Sequence, residues 1–369
     1  MGKRIFYLDN LRSAMIILAV LYNAASGFMI FLPTHVYVIE SERNIGFDMF
    51  ALWAESLILP ILFFISGYFG ASSLRVRLFN PFFKEKWHRI GLPWLFGCLF
   101  LTPELAYLAA LQTTPDMNFI TFYTEHFWQE CFQQGPFWFL SLLLLFFIFL
   151  MAAKKLRPHI LQRNAAAALS PAIVILIISI DIAASYGLHY FFGNHWIHIA
   201  YLLNFQPIHL ADCGLYFILG IYAFKHRWFT LQGYVPSLHW LIPFTIATLF
   251  YVLCFYPRTA VFLPFLFFHT LPAIESILSM TGLLACIAAF ASWGNQNNKL
   301  TLTAASLSYP VYFLSQTLLQ NMAWFIRPLT LPSCLKFIFL CSLVLVYAYM
   351  LAKYALIHLR CFNTKHYFQ

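Results

Sequence analysis

Residues 8 to 24 read LDNLRSAMIILAVLYNA. An acid, Asp9, and a base, Arg12, open the stretch; an apolar run follows, and one amide, Asn23, stands alone far along it. The apolar run continues from Ser13 to Leu32, long enough to cross a bilayer as a helix. A polar side chain at such depth is costly and needs a partner or a cavity. The stretch therefore predicts a first membrane span with one face turned into a protein interior. Lys3 and Arg4 ahead of it resemble the start of a secretory signal, but the run is too long and lacks a small-x-small cleavage site, so it reads as a retained span.

The rest of the chain repeats this pattern. Of 369 residues 62% are hydrophobic, 20% aromatic and 9% charged, too little charge to cover a water-soluble domain of this size. The chain reads as an all-α integral membrane protein, a single polytopic domain over residues 1–369. About ten spans are expected, near 11–32, 47–71, 90–111, 136–153, 171–191, 209–225, 238–256, 271–293, 306–326 and 335–358. The region 257–293 has room for a half-span beside a full one. With the N-terminus inside, 18 of the 22 Lys and Arg residues fall on the inner side and 4 on the outer. This bias predicts that both termini are cytoplasmic. The net charge of +9 then reads as an orientation signal and lipid-headgroup contact; nucleic-acid binding is excluded for want of a soluble basic domain. Eight scattered cysteines, with no C-x-x-C pair, argue against disulfides and zinc ribbons.

Polar residues inside the spans form lines. Arg12 and Asn23 lie eleven residues apart, about three turns and roughly 16 Å along one helix face, with Asp9 placed to pair with Arg12. Asp48, Glu55 and Ser66 share a face of span 2, as do Tyr309, Tyr312, Gln316 and Gln320 in span 9. Three such lines predict a shared interior cavity rather than isolated cross-links between helices. Glu104, Asp181, Asp212 and Glu275 add carboxylates near or within spans. His189, His195, His198 and His209 surround the loop before span 6, and "HWIH" reads as an interfacial amphipathic segment rather than a metal site. No metal centre is expected. The inner loop 72–93 carries Arg75, Arg77, Lys84, Lys86 and Arg89. They serve the inside-positive bias or clamp a phosphorylated cytoplasmic ligand.

Several stretches resemble the acyltransferase 3 family of bacterial membrane acyltransferases. They are RIFYLDNLRSAMIILAVLYNAASGF, PILFFISGYFGASSLRVR with the FFKEKWHRIGLPWLFGCLFLTP that follows, GPFWFLSLLLLFFIFL (135–150) and ASLSYPVYFLSQ (305–316). Members O-acylate surface glycans. The resemblance implies transfer of an acetyl or succinyl group from cytoplasmic acyl-CoA to a hydroxyl of a glycan or lipid-linked sugar, in the bacterial inner membrane. Acyl-CoA is then a co-substrate, with no bound cofactor. It implies donor contacts at Arg75, Arg77 and Arg89, and catalysis around Arg12 and the position eleven residues on. The family places a histidine there as the base; this chain has Asn23. A second family histidine, in the penultimate span, falls at Ser315. An amide cannot act as a base near neutral pH but can donate a hydrogen bond to an oxyanion. Glu55 is the expected replacement base, and Asp9, Ser66, Tyr309, Tyr312 and Gln316 the expected cavity lining. The alternative is a catalytically degenerate relative, acting as an exporter or a partner subunit.

Overall fold

The computed structural model describes residues 5–31, 37–193, 195–230, 232–254, 264–359 and 361–362. Each of the ten expected segments holds a helix: α1 (Phe6–Ser26), α2 (Ile45–Val76), α3 (Phe79–Ala110), α4 (Gly135–Leu156), α5 (Pro171–Phe192), α6 (Pro207–Lys225), α7 (Leu238–Cys254), α8 (Pro264–Ser292), α9 (Lys299–Ile326) and α10 (Ser333–Tyr354). Seven of the described helices are long and apolar enough to cross a membrane. The shorter α7 and the more polar α1 and α9 stand outside that count. Of the 257–293 region, residues 257–263 lie outside the described residues, and one continuous helix, α8, runs from Pro264 to Ser292.

The chain is a multi-pass membrane protein. Its surface carries apolar side chains where a soluble bundle's would be polar, and its largely apolar interior also holds polar ones. Ile175, Leu176 and Ile180 on α5 and Ile242, Ile246 and Leu249 on α7 are exposed, while Asn23, Asp181, Ser315, Gln316 and Gln320 are buried. Lipid tails solvate the exposed apolar side chains, and the polar ones are left to the interior.

The first helix is shorter than its apolar run. It stops at Ser26 because the chain turns back and pairs with residues 40–44: Glu40 donates its amide to the Gly27 carbonyl at 3.1 Å and Asn44 donates to Phe28 at 3.0 Å. Asn23 thus sits one turn from the helix end rather than at its middle. Asp48 also differs from the sequence reading. Its carboxylate accepts the amides of Ile30 and Phe31, both at 2.9 Å, so it anchors this turn.

Two helix pairings set the interior. α1 and α9 pack along their length, and Arg12 Nη2 donates to the Ala305 carbonyl at 3.3 Å. α2 and α6 run in the same direction and approach at two glycines. A Cβ at Gly67 would collide with the Phe217 carbonyl, and one at Gly220 with the Phe64 carbonyl. α3 contains two π turns, Trp87–Gly91 and Gly97–Leu101; the first carries Arg89.

The HWIH segment is not helical. Ile197–Ile199 and Leu203–Phe205 form an antiparallel hairpin, with Ile197 opposite Phe205. Its turn residues Ala200 and Tyr201 have φ of 45° and 59°. His198 lies in the first strand and His195 precedes it, so the helical i, i+3 spacing that would align the two is absent. Gln134, fully buried, ties the hairpin to the bundle. Its Nε2 donates to the Tyr201 carbonyl at 3.2 Å, and its Oε1 accepts from Ser141 at 2.8 Å and Trp94 at 3.3 Å.

Candidate active site

The glycine crossing of α2 and α6 carries two polar side chains to one level. Glu55 lies twelve residues before Gly67, and His209 eleven before Gly220. Because the helices run the same way, these similar rises bring the pair together. His209 Nε2 stands 3.7 Å from Glu55 Oε1. That is ion-pair range and slightly long for a hydrogen bond, as is common for catalytic pairs before substrate binds. The His209 ring packs on Trp138 at the start of α4, centroids 5.5 Å apart. This packing fixes the imidazole plane.

Tyr22 also stands within hydrogen-bonding reach of the Glu55 carboxylate and close to Tyr312. Tyr312 donates to the Pro136 carbonyl at 3.0 Å, and its ring meets Phe139 edge-on at 5.1 Å. The start of α4 is therefore held between His209 and Tyr312. Further acids converge from α6 itself and from two more elements. Asp212, one turn after His209, interacts electrostatically with Asp181 on α5, Glu275 on α8 and Glu55.

The Arg12 line is present. Asp9 stands 3.6 Å from Arg12. The Arg12 bond to Ala305 sets the register between two helices that run the same way. Eleven residues further along each, Asn23 comes level with Gln316. Both are buried, and Gln316 Oε1 takes no hydrogen bond among the described residues. Gln320 is engaged elsewhere, accepting the Val38 amide at 3.0 Å. Ser315 donates to the Tyr312 carbonyl at 2.8 Å, inside its own helix. Tyr309 packs on Phe362 and lies within the electrostatic reach of Arg89; its buried hydroxyl has no hydrogen bond among the described residues. Ser66 is half-buried beside the Gly67 crossing, about three turns along α2 from Glu55.

The three arginines of the basic loop separate. Arg77 and Arg89 converge on the buried Glu85, with Arg89 Nη1 at 3.5 Å and Lys86 Nζ at 3.9 Å. Arg75 points instead into a pocket with Arg163 and Arg227.

A second pocket opens by the hairpin, about 290 Å³, lined among others by Glu130, Phe132, Trp196, His198 and Asn204. Trp196 packs edge-on against Trp138 at 5.7 Å. A continuous aromatic path thus leads from this pocket to the His209–Glu55 pair. His209 is the residue that sequence reasoning placed among outer histidines. Nothing in its neighbourhood, a Pro-initiated helix start, signals that α6 delivers it to Glu55.

Residues 5–353 match the family model described as an acyltransferase domain. The chain belongs to the acyltransferase 3 family. No curated protein and no solved structure matches it. For this member of a membrane acyltransferase family, a histidine and a carboxylate in the bundle interior are groups that acyl transfer can use.

Proposed function

We propose that the protein is an O-acyltransferase that moves an acyl group, acetyl or succinyl, from acyl-CoA to a hydroxyl of a glycan or lipid-linked sugar. The observation that carries this reading is the His209–Glu55 pair at 3.7 Å, in a chain whose first span offers only Asn23 where the family keeps its base. His209 takes the acceptor proton as its oxygen attacks the thioester carbon. Glu55 orients the imidazole and stabilises the charge it gains. The C–O bond forms, the tetrahedral intermediate collapses, and the C–S bond breaks. The proton then passes to the leaving thiolate, releasing CoA as the thiol. Asn23 and Gln316 supply side-chain amide donors at one level, suited to the thioester oxygen as it becomes an oxyanion.

The donor enters at the Arg12 end of α1, with Arg89, Arg77 and Tyr309 close to its path. The acceptor enters through the pocket beside the hairpin, where Trp196 and Phe132 offer faces for sugar stacking and Glu130 and Asn204 offer polar groups. This arrangement rests on ten spans with both termini cytoplasmic, in a bacterial inner membrane. Tyr22, Trp138 and Tyr312 close the space between the two entrances and exclude water, which protects the thioester from hydrolysis.

The test uses the full chain in proteoliposomes with radiolabelled acetyl-CoA or succinyl-CoA inside and total cell-envelope glycan as acceptor. Wild type is expected to transfer label, and His209→Asn to lose transfer by on the order of 10²–10⁴. Transfer that is unaffected by His209→Asn removes the base assignment. A second reading, a degenerate relative serving as exporter or partner subunit, is favoured by Asn23 and Ser315 at the family's histidine positions. It predicts no transfer by wild type with either donor.

A further inference from the structure

Three guanidiniums surround one pocket on the face of the molecule where α1 begins. Arg75 comes from the end of α2, Arg163 from the link between α4 and α5, and Arg227 from the loop after α6; Gln162 and Thr230 complete a cavity of about 530 Å³. No carboxylate lies within ion-pair distance of any of the three among the described residues. The acid of this region, Glu85, is taken by Arg77, Lys86 and Arg89. Three like charges converging without a counter-ion repel one another, and an anion between them relieves the repulsion.

The walls are built rather than draped. Arg227 adopts a left-handed backbone, φ 57°, which a side-chain-bearing residue rarely holds without surrounding constraint. The constraint is visible. Trp228 beside it is fully buried, its Nε1 donates to the Ala167 carbonyl at 3.0 Å, and its own carbonyl accepts from the Tyr68 hydroxyl at 3.0 Å. Thr230 Oγ1 donates to the Arg227 carbonyl at 2.7 Å. A Cβ at Gly233 would collide with that same carbonyl, so the loop closes only over a glycine. Arg163 is laid over the Phe224 ring at 4.8 Å, and Asn164 donates its amide to the Lys225 carbonyl at 2.8 Å. The three guanidiniums are presented by fixed backbone, the arrangement that favours planar, bidentate recognition of phosphate.

This pocket is separate from the donor entrance. Tyr7 packs edge-on against Phe229 of the same loop at 6.0 Å, whereas Arg12 reaches α9. Five residues turn a helix by about 140°, so the two sit on nearly opposite sides of α1.

We propose that Arg75, Arg163 and Arg227 form a phosphate-binding site, distinct from the acyl-transfer site, for a phosphate ester on the cytoplasmic side. The same chemistry is carried by the headgroup of an anionic lipid in the inner leaflet and by a soluble pyrophosphate-bearing molecule. The inference does not depend on the acyltransferase reading, and its test needs no turnover.

The experiment measures the thermal unfolding midpoint of the full-length protein in nanodiscs. One arm titrates inorganic pyrophosphate into phosphatidylcholine discs. The other replaces phosphatidylcholine by phosphatidylglycerol. Wild type is compared with Arg75→Gln, with Arg163→Gln/Arg227→Gln, and with Lys155→Gln as a basic control outside the pocket. Arg75→Gln changes an exposed helix end, so it remains informative should the double variant fold poorly. A pyrophosphate-dependent rise in midpoint that both pocket variants lose supports the site and assigns it a soluble ligand. A rise seen only with phosphatidylglycerol, and lost in the same variants, supports the site and assigns it a lipid. Equal responses of wild type and Arg75→Gln to both probes, or an equal loss in Lys155→Gln, overturn the proposal.

Discussion

A single side chain separates the two readings of the first span. Asn23 stands where the resemblance asks for a histidine, and the structure puts Gln316 at its level and His209 on Glu55 across the interior. If Asn23 donates to the oxyanion, Asn23→Ala lowers kcat by on the order of 10²–10³ while leaving KM for acyl-CoA unchanged. Steady-state kinetics in proteoliposomes check it, and a rise in KM at constant kcat would place Asn23 in donor binding instead. The Arg12 line and Glu55 were legible in the sequence, because a charged or amide side chain in an apolar run stands out. His209 was not, because a histidine at the head of a span is indistinguishable from an interfacial one until its partner helix is known. The buried pair Lys336–Glu40 offers a second residue-level test. Its Nζ–Oε2 distance is 2.7 Å and both side chains are about 95% enclosed. Glu40→Gln leaves a buried ammonium without its counter-charge, and a loss of about 3–5 kcal/mol is expected. Detergent thermal-shift assays would show it as a markedly lower midpoint; an unchanged midpoint would mean that water reaches the ammonium.

Between residue and molecule, the element that decides the site is the α2–α6 crossing. Its close approach requires glycine at 67 and at 220, since a methyl group at either meets backbone that cannot move aside. Gly67→Ala is expected to cost about 1–3 kcal/mol through overpacking. It should also push Glu55 and His209 apart, so transfer falls even in protein that remains folded. The readout is specific activity per folded molecule, counted by size-exclusion chromatography. Full activity in folded Gly67→Ala would show that the two helices do not need this spacing. The helices themselves were legible from apolar runs. The hairpin at 197–205 was not: its two three-residue strands are too short for a period to register, and the Trp-His composition suits an interface in either conformation.

At the scale of the whole molecule the charge bias alone carries the expected topology, both termini inside. Cys131, in the segment between α3 and α4, and Cys334, in the first turn of α10, are exposed free thiols, and both belong to the outer side of the ten-span arrangement. A membrane-impermeant maleimide is expected to label both in intact spheroplasts. Labelling of Cys131 only after lysis would overturn that arrangement.

By itself the sequence determined that this chain lives in a membrane, where its helices lie and which family it joins. The first two depend on composition and on apolar runs of bilayer length, which are local quantities summed along the chain, and the family rests on an ordered set of motifs matched over residues 5–353. The tertiary structure decided which polar side chains meet. Glu55 and His209 are 154 positions apart, and Arg75, Arg163 and Arg227 come from a helix end and two separate connections. Their encounter depends on helix direction, register and two glycine contacts, none of which leaves a periodic trace in the residues that use them.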